Sequence, residues 1–256
     1  MIRLKKIIIF LIVLYASPLF AQEITFNEKA SLDQVYSQAV EADNPLPMND
    51  LNLESGYVLY QTEITIQAED ETLEVANVRD YAVIYVNGRF QGKVTENQKK
   101  IALKAKPGNY LLQIYVENIG RITYGPEITD NSKGLFGEIT LNGQELRHWK
   151  MIPLNIRDYP IKKLVFQERN QTDIPGFYKG VVELDKIKDN YLDTTGWGMG
   201  EVWVNEKYAG SYWEEEKQRS ILIPAESFVH GKNEIVVFEL KNHRQRSMKL
   251  APTPVF

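Results

Sequence analysis

Two stretches of this chain are near copies of one another. Tyr85-Val86-Asn87-Gly88-Arg89-Phe90-Gln91-Gly92 and Trp203-Val204-Asn205-Glu206-Lys207-Tyr208-Ala209-Gly210 both run aromatic, Val, Asn, any residue, basic, aromatic, any residue, Gly, and they lie 118 residues apart. Each has the form of a short strand entering a tight turn. A repeat at that spacing implies two copies of one module of ordinary domain size, and 256 residues are enough to hold both.

The rest of the chain is patterned to match. From Gly56 onward, runs rich in Tyr, Val, Ile and Thr alternate with turn residues: YVLYQTEITI, TLEVANV, YAVIYVNG, KIALKA, YLLQIYVEN and GEITLNGQEL, then FYKGVVEL, GEVWVNEKY, SILIP and NEIVVFELKN. Asn87-Gly88 and Asn142-Gly143 are tight-turn signals, because both central positions of a type I′ turn need positive φ. Short strands at this spacing predict antiparallel sandwiches. Nothing has the helix-wrapped pattern of a parallel sheet.

Outside the sandwiches, residues 1–22 have a basic start (Arg3, Lys5, Lys6), an apolar run from Ile7 to Tyr15, and small residues before a cut after Ala21. That is the form of a cleaved secretory signal, and the apolar run is short of the ~20 residues a spanning helix needs. The mature chain is therefore expected to be periplasmic or secreted and not membrane-spanning. Ser31–Ala42 sets Leu32, Val35, Tyr36, Ala39 and Val40 at helical spacing behind a Ser31 N-cap, and Pro45 and Pro47 stop it. The expected partition is a signal at 1–22, an N-terminal helix and linker at 23–47, a first sandwich at 48–149, an interdomain linker at 150–175 and a second sandwich at 176–256. The linker carries Pro153, Pro160 and Pro175 and one apolar run, Leu164 to Phe166.

Several chemistries are disfavoured. A net charge of −4 with no basic cluster argues against a nucleic-acid partner, and the absence of cysteine removes disulfides, thiolate nucleophiles and thiolate metal sites. His148, His230 and His243 have no ligand spacing; a calcium at a sandwich loop with Asp189 or Asp193 stays open but has no ligand run behind it, and no metal or cofactor is assigned.

Certain motifs go further. Gly56–Glu63 (GYVLYQTE), Val78-Arg79-Asp80 with Tyr85–Gly88, Val116–Gly125 (VENIGRITYG) with Lys133-Gly134, Gly176–Gly180 (GFYKG) and Gly196–Gly200 (GWGMG) occur in this order. From about residue 45 to 240 the chain resembles the C-terminal β-domains of the family 35 glycoside hydrolases, the β-galactosidases. The resemblance implies an all-β fold, two tandem jelly-roll sandwiches of the galactose-binding type, here with a short N-terminal helix. In the family a catalytic (β/α)₈ barrel precedes these domains, and two of its glutamates, ~5 Å apart, carry out retaining hydrolysis. Such a barrel takes ~250 residues, and fewer than 35 lie between the signal and the first sandwich. No catalytic residue is assigned, and Glu117-Asn118, at a strand end, is expected to be structural.

The functional expectation is a secreted, non-catalytic, β-galactosidase-like accessory module. It would bind a galactoside or polysaccharide, or a secreted barrel-bearing glycosidase. The alternative is a structural subunit or remnant of a split enzyme, and a self-sufficient β-galactosidase ranks last. Candidate sugar contacts are Asn118, Arg121 and Tyr124, since the family tyrosine matching Tyr124 lies near the mouth of the barrel site. Without a barrel the same loop would pack between domains, with Arg121 paired to a carboxylate such as Asp80. Trp197, Tyr208, Tyr212 and Trp213 are the other candidates, as a stacking platform for pyranose faces. Glycines on both sides of Trp197 favour a packed loop instead. Relatives tend to have a lysine, a glycine, an arginine and Gly-Pro-Gln where this chain has Met199, Glu206, Ser211 and Glu216-Lys217-Gln218. Glu214 to Glu216 adds three negative charges beside them, leaving that surface open to a different partner.

Overall fold

The computed structural model describes residues 21–118, 132–169, 174–216, 219–241 and 244–256. The apolar leader at 1–20 lies outside them, and no described helix is long and apolar enough to cross a membrane. The chain is all-β and built of sandwiches. It opens on β1 (Gln22–Ser31) and a short β2 (Val40–Ala42). Then come β3 (Gly56–Ile66), β4 (Glu71–Arg79), β5 (Tyr81–Val86), β6 (Arg89–Thr95), β7 (Lys100–Leu103) and β8 (Gly108–Asn118). β9 (Gly134–Leu141), β10 (Gln144–Glu145) and β11 (Trp149–Leu154) complete the first half. Six strands in the order β2-β11-β3-β8-β5-β6 face four in the order β10-β9-β4-β7.

Side chains alternate across a strand, and here both faces of the six-stranded sheet are covered. Val58, Tyr60, Ala82, Ile84, Ile114 and Val116 point to the four-stranded sheet and pack with Leu73, Val75, Ile139, Trp149 and Met151. Tyr57, Leu59, Tyr81, Val83, Tyr85 and Tyr115 point the other way and are equally buried. This is why all six residues of β5 are buried, and why its sequence is a continuous apolar run rather than an alternating one.

The second half holds β12 (Gln167–Glu168), β13 (Gly176–Leu184), β14 (Asn190–Asp193), β15 (Met199–Val204) and β16 (Lys207–Trp213). β17 (Ser220–Ile223), β18 (Gly231–Glu239) and β19 (Ser247–Ala251) follow. The order is β16-β15-β18-β13-β1-β19-β14-β17, with β12 also on β1. The first described strand is thus the seam of the last sandwich: Gln22–Thr25 pairs with β19, and Phe26–Ser31 pairs with β13, with a bulge between Phe26 and Glu28. Ile24 and Phe26 fill its core with Tyr178, Trp197, Val237 and Leu250.

Equivalent strands run β3-β8-β5-β6 in one half and β13-β18-β15-β16 in the other, and these two faces pack against each other. Tyr57 meets Phe238 edge-on with centroids 5.3 Å apart, Tyr81 meets Trp213 at 5.4 Å, and the Tyr85 hydroxyl donates to the Leu240 carbonyl at 2.9 Å. Ile156, Ile161 and Leu164 from the connecting segment, with Leu32 and Val35, seal the same core.

Two expectations are corrected here. The helix at Ser31–Ala42 does not form. Only Leu32–Val35 makes a 3₁₀ turn, after which Val40–Ala42 pairs with Trp149–Met151. Its helix-like spacing arises because Leu32 and Val35 enter the interface core while Tyr36 bridges to Leu154, so tertiary pairing overrides local propensity. The segment 150–175 is likewise not wholly a linker, since β11 runs through Pro153 to Leu154. Proline is tolerated there because the β2 ladder ends at Met151, and beyond it Pro153 serves only as an acceptor, its carbonyl receiving the Ser37 amide at 2.9 Å.

The repeat is a structural one. In each copy the hairpin register slips at one residue, so that Ile84 faces Gly92 while Tyr85 faces Phe90, and Val202 faces Gly210 while Trp203 faces Tyr208. Gly92 (φ 150°) and Gly210 (φ 148°) occupy the same backbone state. The turns match too: Asn87 and Gly88 have φ 44° and 72°, Asn205 and Glu206 have 48° and 68°. Glu206 therefore sits in the left-handed region that its counterpart meets with glycine, at a cost of about 1 kcal/mol. Glu206→Gly should raise the stability by about that amount, read as a higher urea midpoint at unchanged m-value. A fall in the midpoint would show that the Glu206 side chain has a stabilising role.

Candidate functional site: a closed carboxylate cluster between the sandwiches

Where the two sheets meet, the apolar packing is interrupted by charge. Glu201, in the middle of β15, is fully buried. It receives Arg157 Nε at 2.8 Å and Nη2 at 2.7 Å, the Tyr57 hydroxyl at 3.0 Å and the Tyr208 hydroxyl at 2.6 Å. Glu117, near the end of β8, lies across the same phenol: Tyr57 Oη is 2.9 Å from its Oε1, and its Oε2 is buried without a hydrogen-bond partner among the described residues. Asp80 pairs with the buried Lys133 at 2.6 Å close by, and the Asp80 amide donates to the Glu117 carbonyl.

A phenol has one proton and cannot donate to two carboxylates at once. With Arg157 paired to Glu201, both short contacts are hydrogen bonds only when Glu117 is protonated and donates to the Tyr57 oxygen; when Glu117 is ionised the phenol donates to one carboxylate at a time. The electrostatics agree. Burial pushes the Glu117 carboxyl up to about 7; Tyr57 and Arg157 pull it down, while Glu201 and Asp80 push it further. Burial and the two carboxylates hold the Tyr57 phenol well above its ordinary value.

A second clamp lies along the interface. Glu215 pairs with Lys93 of the first sandwich at 2.5 Å, accepts from Tyr81 at 3.2 Å, and meets Lys241 at 3.3 Å. Lys241 also pairs with Glu214. Burial works against the Glu215 carboxylate, but Lys93 and Lys241 hold it below the usual range. Glu214 and Glu215, in the run that departs from the relatives, are therefore engaged within the chain.

Comparisons with known proteins identify this architecture. Residues 45–155 match the family described as "Beta-galactosidase, first all-beta domain" and residues 175–233 match "Beta-galactosidase, galactose-binding domain". The chain belongs to the β-galactosidase β-domains. Beta-galactosidase 1 of Dictyostelium discoideum is 30% identical over 84% of this chain and 35% of its own length. Beta-galactosidase 17 of Arabidopsis thaliana is 31% identical over 83% and 35%, and human Beta-galactosidase-1-like protein 2 is 30% identical over 76% and 31%. The chain thus spans about a third of the length of these curated relatives.

Within this pair of β-galactosidase β-domains the candidate sugar contacts are dispersed. Trp197 is buried in the second core, edge-on to Phe26 and Tyr178, and its indole N–H donates to the Ser247 carbonyl at 2.9 Å. Tyr212 is buried as well, with its hydroxyl on Phe238 O and Glu239 Oε2. Glu239 in turn accepts from the amides of Gly198, Met199 and Lys241, which fixes the GWGMG loop. A side chain at Gly200 would place Cβ 1.7 Å from the Phe238 carbonyl oxygen. Trp213 packs on Tyr81 in the interface, and Tyr208 is the one of the four that is substantially exposed, at 49%. Asn118 is buried and donates to the Glu54 carbonyl. Arg121 and Tyr124 lie outside the described residues. Asp189 and Asp193 each cap a turn, accepting from the Ala225 and Thr195 amides.

The cluster itself was only partly visible beforehand. Glu201 is the one ionisable residue in a strand whose six residues, Met199–Val204, are all buried, a signal that a charge must be met by a partner. The partners, Tyr57 and Arg157, come from distant segments. Because the folded pKa of Glu117 lies above its unfolded value, the folded state binds the extra proton between pH ~4.5 and ~7, and stability falls as pH rises through that window by up to about 3 kcal/mol. Glu117→Gln mimics the protonated acid. It should match the wild type at pH 5 and exceed its urea stability at pH 8; equal pH dependence in both proteins would refute the proton assignment.

Proposed function

We propose that this chain works as a secreted, non-catalytic accessory unit of a family 35 β-galactosidase. In this reading it presents its second sandwich to a β-galactoside or to a barrel-bearing glycosidase, and bond cleavage belongs to that partner. The observation that carries the non-catalytic part is the Glu117–Glu201 pair. A single hydroxyl oxygen lies 2.9 and 3.0 Å from the two carboxylates, so their nearest oxygens are no more than about 6 Å apart, close to the spacing of a retaining glycosidase. Yet the gap is filled by the phenol, both side chains are buried, and one carboxylate is consumed by Arg157. No glycosidic oxygen can enter between them. The galactose-binding family match over residues 175–233 supports the ligand class, and the basic start and apolar run of residues 1–22 support export.

The purified protein, with Glu117→Gln and Glu201→Gln variants, tests this on a chromogenic β-galactoside alongside a lactose titration followed by NMR. The expected result is hydrolysis at the buffer rate in all three proteins, with lactose shifting second-sandwich signals at about millimolar concentration. Hydrolysis abolished by either substitution would overturn the non-catalytic reading. No shift at about 100 mM lactose would overturn the galactoside reading.

A further inference from the structure

A cleft of about 690 Å³ opens at one end of the first sandwich, far in sequence from the galactose-binding match. Three connections build it: Glu69 and Asp70 between β3 and β4, Asn87 at the β5–β6 turn, and Lys104 to Lys106 between β7 and β8. Its volume falls within the range of small-molecule sites. The partly buried Ala105 and Tyr110 supply the apolar part of its lining, and Arg89, Lys104 and Lys106 bring three positive charges against two negative ones from Glu69 and Asp70.

None of these three cations has an ion-pair partner among the described residues, although Glu69 and Asp70 line the same cleft. The amide oxygens nearby are already engaged. Asn87 Oδ1 accepts from the Leu111 amide at 2.7 Å, and Gln91 Oε1 accepts from the Lys104 amide at 2.7 Å. What the cleft offers a ligand is therefore an apolar wall and excess positive charge, on a chain whose net charge is −4.

The second copy lacks this arrangement. Its residue equivalent to Arg89 is Lys207, whose ammonium donates to the Glu226 carbonyl at 3.2 Å, and its residue equivalent to Gln91 is Ala209. The cleft is a property of the first copy and not of the shared hairpin.

We propose that this cleft binds an acidic saccharide, one whose rings carry carboxylate or sulfate groups. The ring C–H faces lie on Tyr110 and its apolar neighbours. The anionic groups meet the Arg89 fork and the two lysines, as charge-assisted hydrogen bonds require. The saccharide part of this assignment rests on the carbohydrate-binding reading above; the anionic part rests on the cleft alone.

The test is calorimetric titration of the full chain with trigalacturonate, a sulfated galactotriose, neutral galactotriose and inorganic sulfate. Either acidic trisaccharide should bind at least about tenfold more tightly than neutral galactotriose, which should bind no better than lactose does. Arg89→Gln with Lys104→Gln should weaken it at least about tenfold. Both sites are exposed, so an unchanged urea midpoint certifies the fold. Asp70→Asn removes a like charge at a position, φ 61°, that asparagine accepts, and should tighten binding. No binding of either acidic trisaccharide at about 10 mM, binding unchanged in the double variant, or inorganic sulfate binding as tightly as the trisaccharides would overturn the proposal. Lactose titrated into the same sample separates the two readings: lactose bound and acidic trisaccharides unbound removes the cleft assignment alone.

Discussion

The packing of β3-β8-β5-β6 against β13-β18-β15-β16 governs the rest of this structure. A sheet facing a core on one side and solvent on the other alternates apolar with polar residues. Here each central sheet has a sandwich core on one face and the shared interface on the other, so both faces must be apolar. The aromatic layer of Tyr57, Tyr85, Tyr115, Phe177, Trp203 and Phe238, each at most 3% exposed, is the result. Burying side chains of that size contributes about 1.5–3 kcal/mol each. The interface is therefore comparable to a domain core, and the first described strand is held in place by the last sandwich.

This packing also settles what the buried charges can do. Glu201 and Glu117 are brought within reach of one phenol because β15 and β8 come from sheets pressed together, and they are kept from solvent for the same reason. An open pair of carboxylates at this spacing would suit glycosidic chemistry; a pair bridged by Tyr57 and neutralised by Arg157 and a proton suits a joint between domains. Breaking one partner of such a group is costly, while the intact set gains little over apolar packing. Its effect is to fix one relative position of the two sheets and to make that fit depend on the Glu117 proton.

Much of this was legible from residues alone. Tyr85 and Trp203 marked two copies of one hairpin, and the copies share turn, bulge and glycine. What escaped were features made by distant pairing. β1 finds its partners near residues 176–180 and 247–250, and no turn signal announces a strand whose neighbours are that remote. Leu32, Val35 and Tyr36 imitate one helix face while serving two partners. The concentration of aromatics from Trp197 to Trp213 is local in sequence but distributed in space over a core, an interface and a surface, so it forms no common platform. Arg89 is the basic position of the repeated hairpin and Lys104 and Lys106 lie in a separate connection, so only the fold brings them to one cleft.

The central claim is that the interface makes two sandwiches into a single cooperative unit. Native-state hydrogen exchange in increasing urea reads it directly, through amides at the middle of β8, such as Ile114, and of β18, such as Val237, each in the core of a different sandwich. A single unit predicts the same opening free energy and the same urea dependence for both. Amides of one sandwich exchanging at lower free energy and with a smaller urea slope than those of the other would contradict it.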